Sequence, residues 1–187
     1  MIRKLRYEVE PEFDGYTIEK YLKLKGYSHG CIVYLKKTEE GIKRNGIWAY
    51  TKDRLITGDV LETVFLEEDS SENIIAVEMP LDIVYEDEDI LVLNKPSDTP
   101  IHPSQGNYDN SLANGVVNYY RKQGVDFVFR CINRLDRDTT GLTILAKNMY
   151  SANVLAGQMQ KREIKRLYLA LLDGTLDKKY GTIRFPI

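Results

Sequence analysis

Cysteine, histidine and tryptophan are scarce in this chain: two, two and one in 187 residues. Cys31 and Cys131 stand a hundred residues apart in apolar surroundings and form no CxxC spacing. That pattern argues against a zinc site and for buried free thiols in a reducing cytoplasm. His102, between Pro100 and Pro103, has no second His or Cys beside it and reads as a loop histidine, not a general base. Long hydrophobic runs are missing too. Nothing approaches the roughly eighteen apolar residues of a membrane span, and the opening MIRKLRYEVEPEF has no apolar run of signal-peptide kind. No metal or cofactor motif is visible. At 43% hydrophobic and 29% charged, the chain is expected to be soluble and cytoplasmic, with one good core or two small ones.

Excess charge is absent as well, and a net charge of −2 by itself argues against a nucleic-acid binder. The average conceals a segregation. Residues 1–60 carry 12 Lys and Arg against 9 Asp and Glu, residues 61–98 carry 1 against 12, and residues 99–187 carry 13 against 7. Two basic regions therefore flank an acidic one. Screening limits a charge's reach to roughly 8–10 Å in physiological salt, so a polyanion responds to the local patch and not to the total.

Along the chain, the pattern predicts two short helices between residues 15 and 36, the first ending at Lys25-Gly26 and the second capped by Ser28. Gly41-Ile-Lys-Arg-Asn-Gly-Ile-Trp reads as a hairpin about Asn45-Gly46, and Ile56 to Leu66 as a turn and a last strand. Residues 67–80, EEDSSENIIAVEMP, are acidic with little to bury, and read as a mobile connector. Beyond it, two strands flank Asp87-Glu-Asp89. Asn110 to Gly124 reads as an amphipathic helix capped by Asn110 or Ser111, Ser151 to about Lys161 as another helix, and Leu167 to Leu172 as a strand. Lys161, Arg162, Lys165 and Arg166 make the densest positive patch.

The stretch RCINRLDRDTTGLTILAKN, residues 130–148, sets Asp136 and Asp138 among Arg130, Arg134 and Arg137, between two apolar runs that read as strands. A carboxylate at a strand end beside guanidinium groups has its charged form favoured, and at neutral pH can serve as nucleophile or base. Arg-Asp pairs in such places are also commonly plain salt bridges. The longer string resembles the HRLDxxTSGLLLLAK signature of the RluA-type pseudouridine synthases. Asn94-Lys95-Pro96, the His102-Pro103 dipeptide and the run Arg166, Tyr168, Ala170, Gly174 resemble further motifs of that family. Residues 14–66, with I-x-x-N-G and G-D-x-L behind a helix pair, resemble the S-four-like RNA-binding module.

These resemblances imply an α+β chain: a small αα-β RNA-binding module at 1–66, an acidic linker at 67–80, and at 81–187 part of a mixed, mainly antiparallel β-sheet catalytic domain flanked by helices. They imply a cofactor-free, monomeric enzyme that isomerises uridine in structured RNA, ribosomal or transfer. Asp136 would be the catalytic residue, and Tyr168 would lie against the flipped uracil and assist late proton removal. Arg134 would fill the gap in the RNA stack. Arg137, Lys95, Lys165 and Arg166 would contact RNA, as would Lys36, Lys37, Lys43 and Arg44 along one basic edge of the first module. Asn133 stands where the family usually has His. The family's catalytic domain also continues past the segment GTIRFPI, so the 187 residues alone are expected to be inactive or weakly active. Two rivals are an RNA-binding protein without chemistry and, because Asp136-Arg-Asp-Thr-Thr also fits DxDxT, a haloacid-dehalogenase-type phosphatase.

Overall fold

A computed structural model describes residues 1–67, 71–175, 179–182 and 184. Its first lobe is a four-stranded antiparallel sheet of order β1-β4-β2-β3, formed by Ile2–Glu8 (β1), Ile42–Arg44 (β2), Ile47–Trp48 (β3) and Val60–Leu66 (β4). Helices α1 (Ile18–Leu24) and α2 (His29–Lys37) pack on one face. Alternation decides which face. Leu61, Thr63 and Phe65 of β4 are buried among Tyr21, Leu22, Ile32 and Leu35, while Val60, Glu62 and Val64 turn away. The Thr17 and Ser28 hydroxyls accept from the N–H groups of Lys20 and Cys31 at 3.3 and 3.2 Å, so both helices begin on side-chain caps.

The NG and GD turns of the sequence meet in space. Asn45 and Gly46, at φ of 52° and 79°, make the two-residue turn between β2 and β3. Asn45 Nδ2 then donates to Asp59 Oδ1 at 2.7 Å, and Arg44 Nε lies 2.6 Å from Asp59 Oδ2. Burial opposes the charge on Asp59, but the Ile56 N–H, Arg44 and Asn45 outweigh it and hold the carboxyl below its ordinary value.

β1 is absent from the sequence reading because its charged residues mask the alternation. Leu5 and Tyr7 lean inward, while Lys4, Arg6 and Glu8 point out.

The second lobe is a three-stranded antiparallel sheet, β5-β6-β7, from Ile83–Glu86, Ile90–Lys95 and Gly141–Ala146. Helices α3 (Leu112–Lys122) and α4 (Met149–Gln160) flank it. Leu91, Leu93, Leu112, Val116, Tyr120, Phe127 and Leu145 form its core, with the Tyr120 and Phe127 rings stacked at 4.1 Å. Ser111, not Asn110, caps α3, in a reciprocal pair with Asn114.

Three expectations need correction. The strand expected at 127–132 makes only one bridge, Cys131 to Leu145, although Arg130 O and the Ile132 N–H still bond to β7. Leu167–Leu172 forms no strand and has no ladder partner among the described residues. The connector is not free either. Ser71 bonds to Phe127 and Phe129, and Asn114 Nδ2 donates to Ile75 O at 2.7 Å. Met79 lies so close to Gly115 that a Cβ there would come within 2.5 Å of it. Apolar Ile74 and Leu81 supply the packing that the acidic composition hid. Glu68, Asp69 and Ser70 lie outside the described residues.

The lobes are joined through charges of opposite sign. Arg3 grips Asp89 with two nitrogens, at 3.0 and 2.7 Å, and also Glu88 at 2.7 Å. Buried Glu67 binds Arg130 at 2.6 Å and the backbone N–H of Met149. Tyr150 of α4 packs on Tyr27 of the first lobe, ring centroids 4.9 Å apart. No helix among the described residues is long and apolar enough to cross a membrane.

Candidate active site

The candidate site is the loop between the extended segment 127–135 and β7, and it is built from the backbone outward. Asn133 substitutes its side chain for a strand partner: Nδ2 donates to Leu142 O at 3.0 Å and Oδ1 accepts from Ile144 N–H at 2.8 Å. Its carbonyl accepts from the Thr143 hydroxyl at 2.9 Å. Leu135 is buried, and the Thr139 N–H closes a turn onto Asp136 O at 3.1 Å. The chain is thus pinned on either side of Asp136, while Arg134, Asp136, Arg137 and Asp138 are all exposed. The amide of Asn133 suits this position because it has both a donor and an acceptor to give β7.

Lys95 is the clearest correction among the site residues. Expected to face RNA, it is fully buried, and its ammonium donates to the carbonyls of Pro96, Thr99 and Arg137 at 2.8, 2.9 and 2.7 Å. All three of its protons are used inside the protein. Burial lowers its pKa, opposed by the charges of Asp138 and Asp136. Lys95 therefore braces the loop from beneath and sets a positive charge under both carboxylates.

Around this floor the loop is further fastened. Arg137 Nε donates to Asp98 Oδ1 at 2.6 Å, and the Ser97 hydroxyl donates to Asp138 O at 3.2 Å. Asp98 has a φ of 56°, a left-handed conformation that side chains rarely adopt. Asp98 was missed by the sequence reading, and its place after Lys95-Pro96 was the only signal.

His102 sits edge-on to Phe129, ring centroids 5.1 Å apart. Partial burial, with Arg134 nearby, holds its imidazole below the usual histidine value, so it is neutral at neutral pH. Cys131, a free thiol, is pushed up by burial and lies 3.3 Å from the Thr143 hydroxyl.

A cleft of about 770 Å³ lies beside the loop. Asn133, Leu135 and Asp138 line one side, and Lys165, Arg166 and Tyr168 the other. The structure thus brings Tyr168 and the basic pair to Asp138, with Asp136 two residues away and outside the lining. In the first lobe the expected basic edge is divided. Lys36 and Lys37 are exposed at the end of α2, Lys43 pairs with Glu40 at 2.6 Å, and Arg44 is held by Asp59. No cluster of three metal-ligating side chains occurs among the described residues.

Residues 89–187 match the family model described as RNA pseudouridylate synthase, a span that holds the whole loop and cleft. The chain belongs to that family. The uncharacterized RNA pseudouridine synthase YjbO of Bacillus subtilis is 34% identical over 171 residues, 91% of this chain and 60% of the relative. A match of that length takes in the first lobe as well. The ribosomal large subunit pseudouridine synthase D of Escherichia coli O6:H1 is 43% identical over 59% of this chain and 33% of its own length. Among solved structures, human RNA pseudouridylate synthase domain containing 1 is 28% identical, covering 44% of this chain and 29% of its own at a TM-score of 0.37. The chain spans 60% or less of the length of these relatives. The antiparallel sheet of this synthase-family chain also disposes of the phosphatase alternative, whose DxDxT motif belongs after a strand of a Rossmann-like fold.

Proposed function

We propose that this chain forms part of an enzyme that isomerises uridine to pseudouridine in structured RNA, ribosomal or transfer, with Asp136 as its catalytic residue. The reaction breaks the bond from uracil nitrogen to the ribose, rotates the base and joins a ring carbon to the same sugar carbon; the proton on that carbon leaves last. Nothing is oxidised or transferred, so one well-placed carboxylate suffices, as nucleophile towards sugar or base, or as a base on the sugar. The observation that carries this reading is the exposed carboxylate of Asp136 on a loop braced by Lys95 and Asn133 within the matched region.

A stacked uridine must be flipped out to reach that loop, at about a few kcal/mol, which contacts to RNA must offset. In our proposal Arg134 enters the vacated stack, Arg137 with Lys165 and Arg166 takes phosphates, and Tyr168 lies against the uracil. Residues 1–66 act as an S-four-like RNA-binding module, with Lys36 and Lys37 free for phosphates. The protein works as a cytoplasmic monomer. Because the chain spans 60% or less of its relatives' length, we further propose that full turnover needs a longer polypeptide that spans the whole of that length. Tritium release from RNA labelled at uracil C5 tests this. Turnover is expected from the longer polypeptide, weak or absent from this chain, and abolished by Asp136→Asn. RNA binding with steep salt dependence, and no turnover from any version, would instead establish a binding protein without chemistry.

A further inference from the structure

Of the first lobe's aromatic residues only Trp48 and Tyr50 are exposed. Tyr21, Tyr27 and Phe65 are sealed in the core, yet Trp48 and Tyr50 are 48% and 62% exposed. Their rings stack on each other, centroids 6.2 Å apart and planes 23° from parallel. The ladder register fixes where they stand. Trp48 pairs with Lys43, Lys43 with Glu62, and Glu62 with Arg6, so these four side chains form one cross-strand row. Their neighbours Ile42, Leu61 and Thr63 point the other way, into the core beneath the helices. The row therefore lies on the sheet face that no helix among the described residues covers. Lys4 and Arg6 are exposed on that face, and residues 43–54 carry four Lys and Arg against one Asp.

Two rings held parallel in water, with cations set along the same face, match a ligand with flat faces and a negative backbone. An aliphatic protein surface would gain nothing from the parallel rings and would have to desolvate Lys43 and Arg6. We propose that Trp48 and Tyr50 are a stacking platform for an unpaired nucleobase of RNA, with the exposed Lys4 and Arg6 of the same face receiving phosphates of the strand. This rests on the reading of the chain as an RNA-modifying protein and adds a contact well apart from the Asp136 loop. It makes the first lobe a reader of single-stranded or looped RNA, because a base inside a duplex has no free face to offer.

Trp48 is the only tryptophan, so its fluorescence reports on this platform alone. Titration of the chain with an oligouridylate should quench the emission saturably, whereas an RNA duplex with the same number of phosphates should leave it nearly unchanged. Tyr50→Ala should weaken the oligouridylate affinity about tenfold, and Trp48→Ala, followed by gel shift, by a similar factor. Both side chains are largely outside the core, and circular dichroism will show that the variants fold. Equal quenching by both RNAs, wild-type affinity in Trp48→Ala, no binding of either RNA, or a spectral shift that follows protein concentration alone would each overturn the platform. The catalytic reading fails separately: Asp136→Asn should respond to oligouridylate like the wild type, and a platform that quenches in a protein without turnover would stand while that reading fell.

Discussion

In the first lobe Leu22, Leu35, Leu55 and Leu61 are wholly buried, whereas Leu167, Leu169 and Leu171 of the second are 98%, 102% and 101% exposed. The residue type is the same and the surroundings are opposite. The first lobe closes its core with a sheet and two helices, and its Asn45–Asp59–Arg44 knot ties the Asn45-Gly46 hairpin turn to the turn before β4. In the second lobe the sheet ends at β7 among the described residues, the segment after α4 makes no ladder with them, and both line the cleft. Among the described residues no strand covers the outer flank of the Asp136 loop, and its order comes from below, through buried polar contacts. The first lobe shows what an apolar core closed by helices can hold, and the Asp136 loop what three carbonyls and one ammonium hold where that cover is missing among the described residues.

Removing that support should be the most damaging single change. Lys95→Met has nearly the same volume but takes the donor from the buried Thr99 carbonyl and the half-buried Pro96 carbonyl, and leaves Arg137 O with only the Thr99 N–H. We expect a loss of about 4 kcal/mol in urea-induced unfolding, with turnover of the longer polypeptide lost even where the variant remains folded. Leu35→Ala in the first core should cost about 3 kcal/mol through its cavity, but spare the Asp136 loop. If Leu35→Ala harms turnover more than Lys95→Met at matched stability, the contrast drawn between the lobes is wrong.

A pH titration separates the lobes more gently. Burial raises the phenol pKa values of Tyr27, Tyr120 and Tyr150 above the ordinary 10.0, so they keep their protons in the fold while the unfolded chain loses them. Unfolding then takes up fewer protons than folding retains, and stability should fall as pH rises past about 10. Lys95 acts in the opposite sense: its pKa is lowered from 10.5, so the stability it withholds returns as pH climbs towards that value. Three phenols outweigh one ammonium. Tyr27→Phe and Tyr150→Phe should each flatten the fall in unfolding midpoint between pH 9 and 11, and Lys95→Met should steepen it.

The sequence was legible where a local rule and the tertiary contact agree. Ser28 at its cap, Asn45-Gly46 in its turn and the hairpin about Asp87 lie where propensity puts them. It was silent where a contact depends on distant partners. Lys95 looked like a phosphate ligand because nothing near it in the chain says that Arg137 O will close over it. The run Asp87-Glu88-Asp89 was read only as the turn of a hairpin, because its partner Arg3 is more than eighty residues away. In the site itself, the motif located the exposed loop of Asp136, and left unseen the Asp98 clamp and the way Asn133 completes β7.

The smallest effect is the most telling about the open flank. Leu169 makes no use of its side chain in this chain, so Leu169→Ser should change its unfolding free energy by less than about 0.5 kcal/mol. An apolar row of this kind is an exposed edge that invites pairing with another chain, and the serine should also slow aggregation, read by light scattering. In the longer polypeptide the same substitution should cost about 2 kcal/mol or more, because a partner strand there would bury the leucine. Equal effects in the two polypeptides would mean that the leucine segment stays uncovered in both.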